Sequence, residues 1–331
     1  MRVPGPILRC LSFCLSLTVF TGGAIAWAYS PRVEPKTAKS ASSVDPSEIR
    51  IRVLGGFPSV KVGEKGALKV NGSELSFRFK ENRTVISDDS LLAVGNENER
   101  VELWGMKGRL MRMLVPDGGG QLVATVMHHR VDMLTLEYRD EKGGYHGAVL
   151  QMSTADVQRV LQAVKDLQAH NQEMPVAECT DGQNVPGSVR VPLPVWNQSG
   201  IPNAYRAQLY EHTIEKLQKV KGVETVYRDG EVMHQNECPQ YTVRMDVNSF
   251  HAGSQVARAI IGPLGMFVGT TRVRFDLQVE PTGQSVDTRH IQATMRGDGE
   301  SMQVADIVAK KVAKDLSMQM KKDKQLRANP R

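Results

Sequence analysis

The sequence predicts an α+β protein in two small β-rich parts, each completed by a C-terminal helix. Three observations carry this. Two blocks of short apolar–polar alternation are each followed by a segment with apolar residues at helical spacing. A polar stretch at 171–187, containing Pro175, Pro186 and Gly187, separates the blocks. The chain's 331 residues also exceed what one core usually organises. At 40% hydrophobic and 24% charged, the composition is that of a globular chain and excludes wholesale disorder.

The N-terminus speaks first about location. Arg2 and Arg9 precede an apolar run from Cys10 to Ala28 that ends in Ala26-Trp27-Ala28, the small-x-small pattern cut by signal peptidases. Residues 1–28 therefore read as a secretory signal cleaved after Ala28, with an uncleaved signal-anchor as the alternative, since the run approaches bilayer-spanning length. Phe13 before Cys14 and Arg9 before Cys10 fit no lipid-attachment site. Export places the chain in the periplasm or outside the cell, or leaves it membrane-anchored if the signal is kept. Residues 29–48, rich in Pro, Ser and Lys without apolar periodicity, read as a disordered linker.

The first part is expected over 50–170. Leu68 and Val70, then Asn71-Gly72, then Leu75, Phe77 and Phe79 predict a β-hairpin with a type I′ turn at Asn71-Gly72. Short strands follow at Thr84–Ile86, Leu91–Val94, Val101–Trp104, Leu122–Met127, Val131–Tyr138 and Gly147–Met152, the last two joined by a turn over Asp140–Gly144. Ser153, with Asp156 three residues on, caps a helix whose apolar stripe is Val157, Val160, Leu161, Val164 and Leu167. Many antiparallel strands and one closing helix predict a small barrel or bent sandwich.

After the 171–187 linker, the second part is expected over 188–320. A strand at Val189–Pro194 leads to a helix from Asn203, with Tyr210, Ile214 and Leu217 on one face, a Glu215/Lys219 ion pair, and a stop at Gly222. Strands at Val223–Tyr227, Tyr241–Val247, Thr271–Val279 and Thr288–Met295 precede a helix over Met302–Met320, capped by Ser301 and striped by Val304, Ile307, Val308, Val312, Leu316 and Met320. The order β-α-β-β-β-β-α predicts a two-layer sandwich, mainly antiparallel, with both helices on one face. Residues 321–331 form a basic tail.

Two resemblances follow from these residues. Through the Gly66-Ala67-Leu68-Lys69-Val70 and Leu75-Ser76-Phe77 strands, the Val131–Tyr138 strand and the Asp140–Gly144 turn, residues 62–169 resemble bacterial pleckstrin-homology-like and GRAM-like domains. That resemblance implies a lipid-headgroup or peptide-binding range. Residues 188–320 are similar to a bacterial envelope-protein domain of unknown function, often found in lipoproteins, through Gly222, Val223 and Val226, the Arg258–Gly269 segment and Pro281-Thr282-Gly283. This chain departs from that family in lacking a lipid-attachment cysteine and in carrying the upstream part.

Charge argues against nucleic acid. The net charge is +6, and the Lys310–Arg331 segment alone holds eight basic residues against Asp315 and Asp323. Without Arg2 and Arg9, the rest of the exported chain is slightly acidic. The basic C-terminal helix and tail can meet an anionic membrane surface electrostatically, or can simply be solvated.

No catalytic constellation, cofactor motif or metal set is legible, so a non-enzymatic role is expected. Gly118-Gly119-Gly120 lacks the Gly-Lys-Ser/Thr that opens a phosphate loop and reads as a turn. His128 and His129 are adjacent, so on a strand they face opposite ways and cannot share a metal. Asp88 with Asp89, and Asp298 with Glu300, lie in turn-like sequence. Cys179 and Cys238 can pair as a disulfide in an oxidising compartment. In Val256–Val268, Gly262, Pro263 and Gly265 forbid a regular element. This segment is either a core connector or a patch presenting Ile260, Ile261, Leu264, Met266 and Phe267 to a protein partner, a second copy or lipid.

Overall fold

The first sheet begins before the predicted hairpin. The computed structural model describes residues 48–72, 74–102, 128–164, 182–234, 237–253, 270–283, 288–295 and 303–328. Strand β1 spans Ile49–Gly55, with Ile49, Ile51 and Val53 buried and Arg50 and Arg52 exposed. This is a clean two-residue period that the linker reading of the preceding residues obscured. Next come β2 (Lys65–Asn71), β3 (Glu74–Arg78), β4 (Arg83–Ser87), β5 (Leu91–Glu102), β6 (His128–Arg139) and β7 (Tyr145–Met152). All pairings are antiparallel, in the order β4-β3-β2-β1-β7-β6-β5. Strand β1 thus joins two meanders, and among the described residues β4 and β5 form the sheet edges.

Two local expectations shift. The hairpin turn sits one residue later than predicted: Asn71 is still a strand residue opposite Glu74, and Gly72 takes the positive φ of 50°. Leu91–Val94 and the start of Val101–Trp104 belong to one continuous strand, because the polar run Gly95 to Arg100 stays in the ladder with β6. The Leu122–Met127 strand and Gly118-Gly119-Gly120 lie outside the described residues. Helix α1 (Thr154–Val164) lies over β5 and β6. As predicted, Ser153 Oγ accepts the Asp156 N–H at 3.2 Å. Val157, Val160 and Val164 meet Leu68, Phe77, Leu134, Leu136 and Leu150 in the first core.

The second sheet keeps the predicted elements in order and adds a short strand, β9, before the first helix: β8 (Gln183–Arg190), β9 (Val195–Trp196), α2 (Asn203–Leu217), β10 (Thr225–Tyr227), β11 (Glu237–His251), β12 (Thr271–Pro281), β13 (Arg289–Met295) and α3 (Val304–Ala328). It is mixed rather than mainly antiparallel. In the order β10-β8-β11-β12-β13, with β9 also on β11, strand β8 runs parallel to β10 and β11. The cause is α2, which carries the chain across between β8 and β10, and such a crossover makes the flanking strands parallel. Strand β8 also starts inside the predicted 171–187 linker. Its Pro186 and Gly187 are absorbed where the register against β11 slips between Pro239 and Tyr241, with the Gly187 N–H donating to Gln240 Oε1 at 2.6 Å.

Helix α2 is buried nearly all round, from Ala204 and Tyr205 through Ala207, Leu209 and Tyr210 to Ile214 and Leu217. Such a helix has neighbours on every side. It packs on β5, β6 and β7 and against α3. Met133, Tyr145 and Val149 of the first sheet share its core with Tyr241, Phe275 and Leu316 of the second half. Strands β6 and β7 are consequently covered on both faces, and Asp45–Arg331 is one compact unit. The approach of α2 is close: a Cβ on Gly147 would lie 2.6 Å from Ala207 Cβ. Among the described residues, no helix is long and apolar enough to cross a membrane. The apolar run Cys10–Ala28 lies outside them.

Candidate functional site

Where α2 meets the first sheet, the fold collects charge in a place that is otherwise apolar. The predicted Asp140–Gly144 turn starts it. Asp140 Oδ1 accepts the N–H groups of Lys142 at 2.9 Å and Gly144 at 2.8 Å, which closes the turn and leaves Oδ2 for His146 Nε2 at 3.1 Å. His146, on β7, has a side chain only 4% exposed and stacks on the Tyr138 ring at 5.2 Å. Its Nδ1 faces Glu211 Oε1 of α2 across 3.7 Å, too far for a hydrogen bond, and has no hydrogen-bond partner among the described residues.

Glu211 is held by two other groups through three bonds. Arg228, just after β10, grips it with two parallel bonds of 2.8 and 2.9 Å, and the Gly147 N–H donates to Oε1 at 3.0 Å. Both partners of this pair are mostly shielded from solvent, at 16% and 14% exposure. Arg228 also donates to the Tyr145 carbonyl at 2.9 Å. Asp229 then ties three elements: its carbonyl accepts from Tyr145 N–H and from Arg139, and its N–H donates to Tyr210 Oη at 2.7 Å, while Tyr210 Oη donates to the Val191 carbonyl. At the other end of α2, Pro202 offers no side-chain cap. Glu97 of β5 accepts the Ala204 N–H at 2.9 Å in its place.

Burial dominates the ionisation of these groups. It pushes the carboxyls of Glu97 and Glu137 above their ordinary values, and the hydroxyls of Tyr138, Tyr145 and Tyr210 well above theirs. Burial works in the same upward sense on Asp140, but the bonds from His146 and from the two turn N–H groups together outweigh it and hold that carboxyl down. His146 is lowered, first by burial and then by the Arg228 charge, against the opposing pull of Glu211 and Asp140. A His with a depressed folded value binds its proton more readily unfolded. Its stability contribution is therefore complete above about pH 6.5 and is lost as pH falls through the folded value. Urea unfolding across that window should show stability falling with acid. His146→Gln should flatten this slope, and an unchanged slope would assign the sensitivity elsewhere.

In chemical terms the arrangement is a clamp. Its donors and acceptors are spent mainly on one another, across β6, β7, α2 and the segment after β10. None of these residues stands out as a site in the sequence. Glu211 left a signal: Ala207 and Ile214, four before it and three after, are both apolar, the helical spacing of an acid on a buried face.

The residues singled out from sequence fall elsewhere. Cys238, at the start of β11, is 1% exposed and disulfide-bonded, and Cys179 lies outside the described residues. So do Ile260, Ile261, Leu264, Met266 and Phe267, the Ala28 cleavage position, Asp298 and Glu300. His128 and His129 open β6 opposite Glu102 and Val101. Asp88 and Asp89 sit in a single 3₁₀ turn. Among the described residues, no group of three or more His, Cys, Asp or Glu could hold a metal ion.

The fold and the clamp define the class: a mixed α+β protein whose two sheets are fixed on one buried helix. No protein-family model matches the chain, and no curated protein matches it. Among solved structures it is similar to the PelC dodecamer from Paraburkholderia phytofirmans, at 15% identity over 42% of this chain and 91% of that one, with a TM-score of 0.25. A point variant of that PelC matches at 14% identity over 44% and 93%, with a TM-score of 0.24. Scores of this size carry no functional argument.

Proposed function

We propose that this is an exported envelope accessory protein that works by presenting surfaces to a protein partner, a second copy or a membrane, and not by turning over a substrate. The observation that carries this reading is the disulfide-bonded Cys238, in a chain whose first 28 residues have the pattern of an export signal. Structural disulfides persist in oxidising compartments. Cys179 is its proposed partner. The antiparallel meander of the first sheet, followed by a single helix, supports the pleckstrin-homology-like resemblance of residues 62–169. A second reading, a membrane-tethered assembly subunit, is favoured by the length of the Cys10–Ala28 run if it is retained.

Intact-mass spectrometry of the native protein, from soluble and membrane pools with and without reductant, tests this. The expected species is soluble, begins at Tyr29 and is two hydrogens lighter than its reduced form. An uncut species confined to membranes would favour the tether. A full-length, reduced, cytosolic species would overturn both readings.

A further inference from the structure

Helix α3 uses its acids and most of its lysines differently. Its three acids all engage the fold or a helix neighbour. Asp306 pairs with Lys216 at 2.9 Å and with Lys310 at 2.6 Å, and Asp315 pairs with Arg289 at 2.9 Å. Asp323 accepts from Tyr241 Oη at 2.8 Å and from Gln319 at 3.0 Å. Five of its six lysines go the other way. Lys314, Lys321 and Lys324 are exposed opposite the buried Val308, Val312 and Leu316, the exposed Lys311 and Lys322 lie round the helix toward Val304, and none of the five has an ion-pair partner among the described residues. Met318, 40% exposed, stands four residues after Lys314 and three before Lys321, so the helix places it among them. Leu326, about two turns beyond Met318, is 61% exposed. Gly222, whose Cβ would meet Met320 Cε at 3.2 Å, brings the exposed Lys221 beside the same end.

We propose that this face of α3 docks on an anionic phospholipid bilayer. The inference rests on the surface-contact reading above and names the surface's partner. Lys314 to Lys324 cover about 15 Å of a straight helix, and Lys314, Lys321 and Lys324 lie on the side away from the core, so their ammonium groups can meet one plane together. A bilayer of anionic headgroups offers such a plane of opposite charge, and Met318, beside Lys314 and Lys321, can enter its interfacial region. A solvated lysine face needs no exposed methionine within it.

The test is vesicle co-sedimentation of the full chain, comparing phosphatidylglycerol-rich with pure phosphatidylcholine vesicles. An apolar anchor at residues 10–28 would bind both alike, so the ratio between them isolates the lysine face. The ratio should be well above one and should collapse toward one in about 0.5 M salt. In Lys314→Glu/Lys321→Glu it should drop by at least about tenfold. These exposed positions leave the core untouched, so thermal unfolding of the variant should match the wild type. Met318→Ser should weaken binding to phosphatidylglycerol vesicles without abolishing their preference. A wild-type ratio near one, or a ratio unmoved by the charge reversal, would overturn the proposal. Retention on soluble polyglutamate that exceeds vesicle binding would overturn it in favour of an acidic protein. Export is settled separately by intact mass, so either idea can fail alone.

Discussion

Arg228→Met is expected to cost about 3–5 kcal/mol of unfolding free energy, the largest loss of any single substitution considered for this protein. The reason is less the lost attraction than what remains. Glu211 would keep its place against Gly147 and His146 with its counter-charge gone, in a setting only 14% exposed. The Tyr145 carbonyl would lose a donor at the same time. Replacing both partners, Arg228→Met with Glu211→Leu, removes the stranded charge and should recover much of the loss. Urea unfolding of the wild type, both single variants and the double variant closes the cycle. Additive losses would mean that the pair is not coupled and that the clamp is not what holds the helix.

Gly147→Ala is the second, expected to cost about 3 kcal/mol although it adds one methyl. That methyl would sit 2.6 Å from Ala207 Cβ and 2.8 Å from Ala207 Cα. Helix α2 cannot retreat freely, since the Gly147 N–H is bonded to its Glu211 and its far side rests on α3. Ala207→Gly should restore part of the stability, because it removes one of the two colliding atoms. Circular dichroism should show the secondary structure kept while the urea midpoint falls, and a variant as stable as the wild type would show that the helix can shift at no cost.

Much of the fold was legible in the sequence because it is written in local periods. Ser153 with Asp156, the Val157-to-Val164 stripe, and the Tyr210, Ile214 and Leu217 face all fall where the structure puts them. What escaped depends on distant neighbours. Tyr145–Met152 is apolar almost throughout, with no alternation, and that pattern signals a strand covered on both faces. Only the packing of α2 says by what. Asn96 and Glu97 look like loop residues, yet Glu97 belongs in mid-strand because it caps a helix more than a hundred residues later. The mixed pairing of the second sheet likewise follows from where α2 crosses. The clamp was hidden for the same reason: Asp140, His146, Glu211 and Arg228 come from three separate stretches of chain, each unremarkable alone.

The two-sided burial of β7 also bears on how the protein is made. Synthesis runs from the N-terminus, so the first sheet and its helix can assemble by Val164, well before Asn203–Leu217 has emerged. During that interval Met133, Tyr145 and Val149 face outward as an uncovered apolar surface, beside a Glu211 site with no occupant. That surface therefore waits on a later segment of the same chain for its cover. The chain's own next segment, arriving later, supplies it and completes the fold.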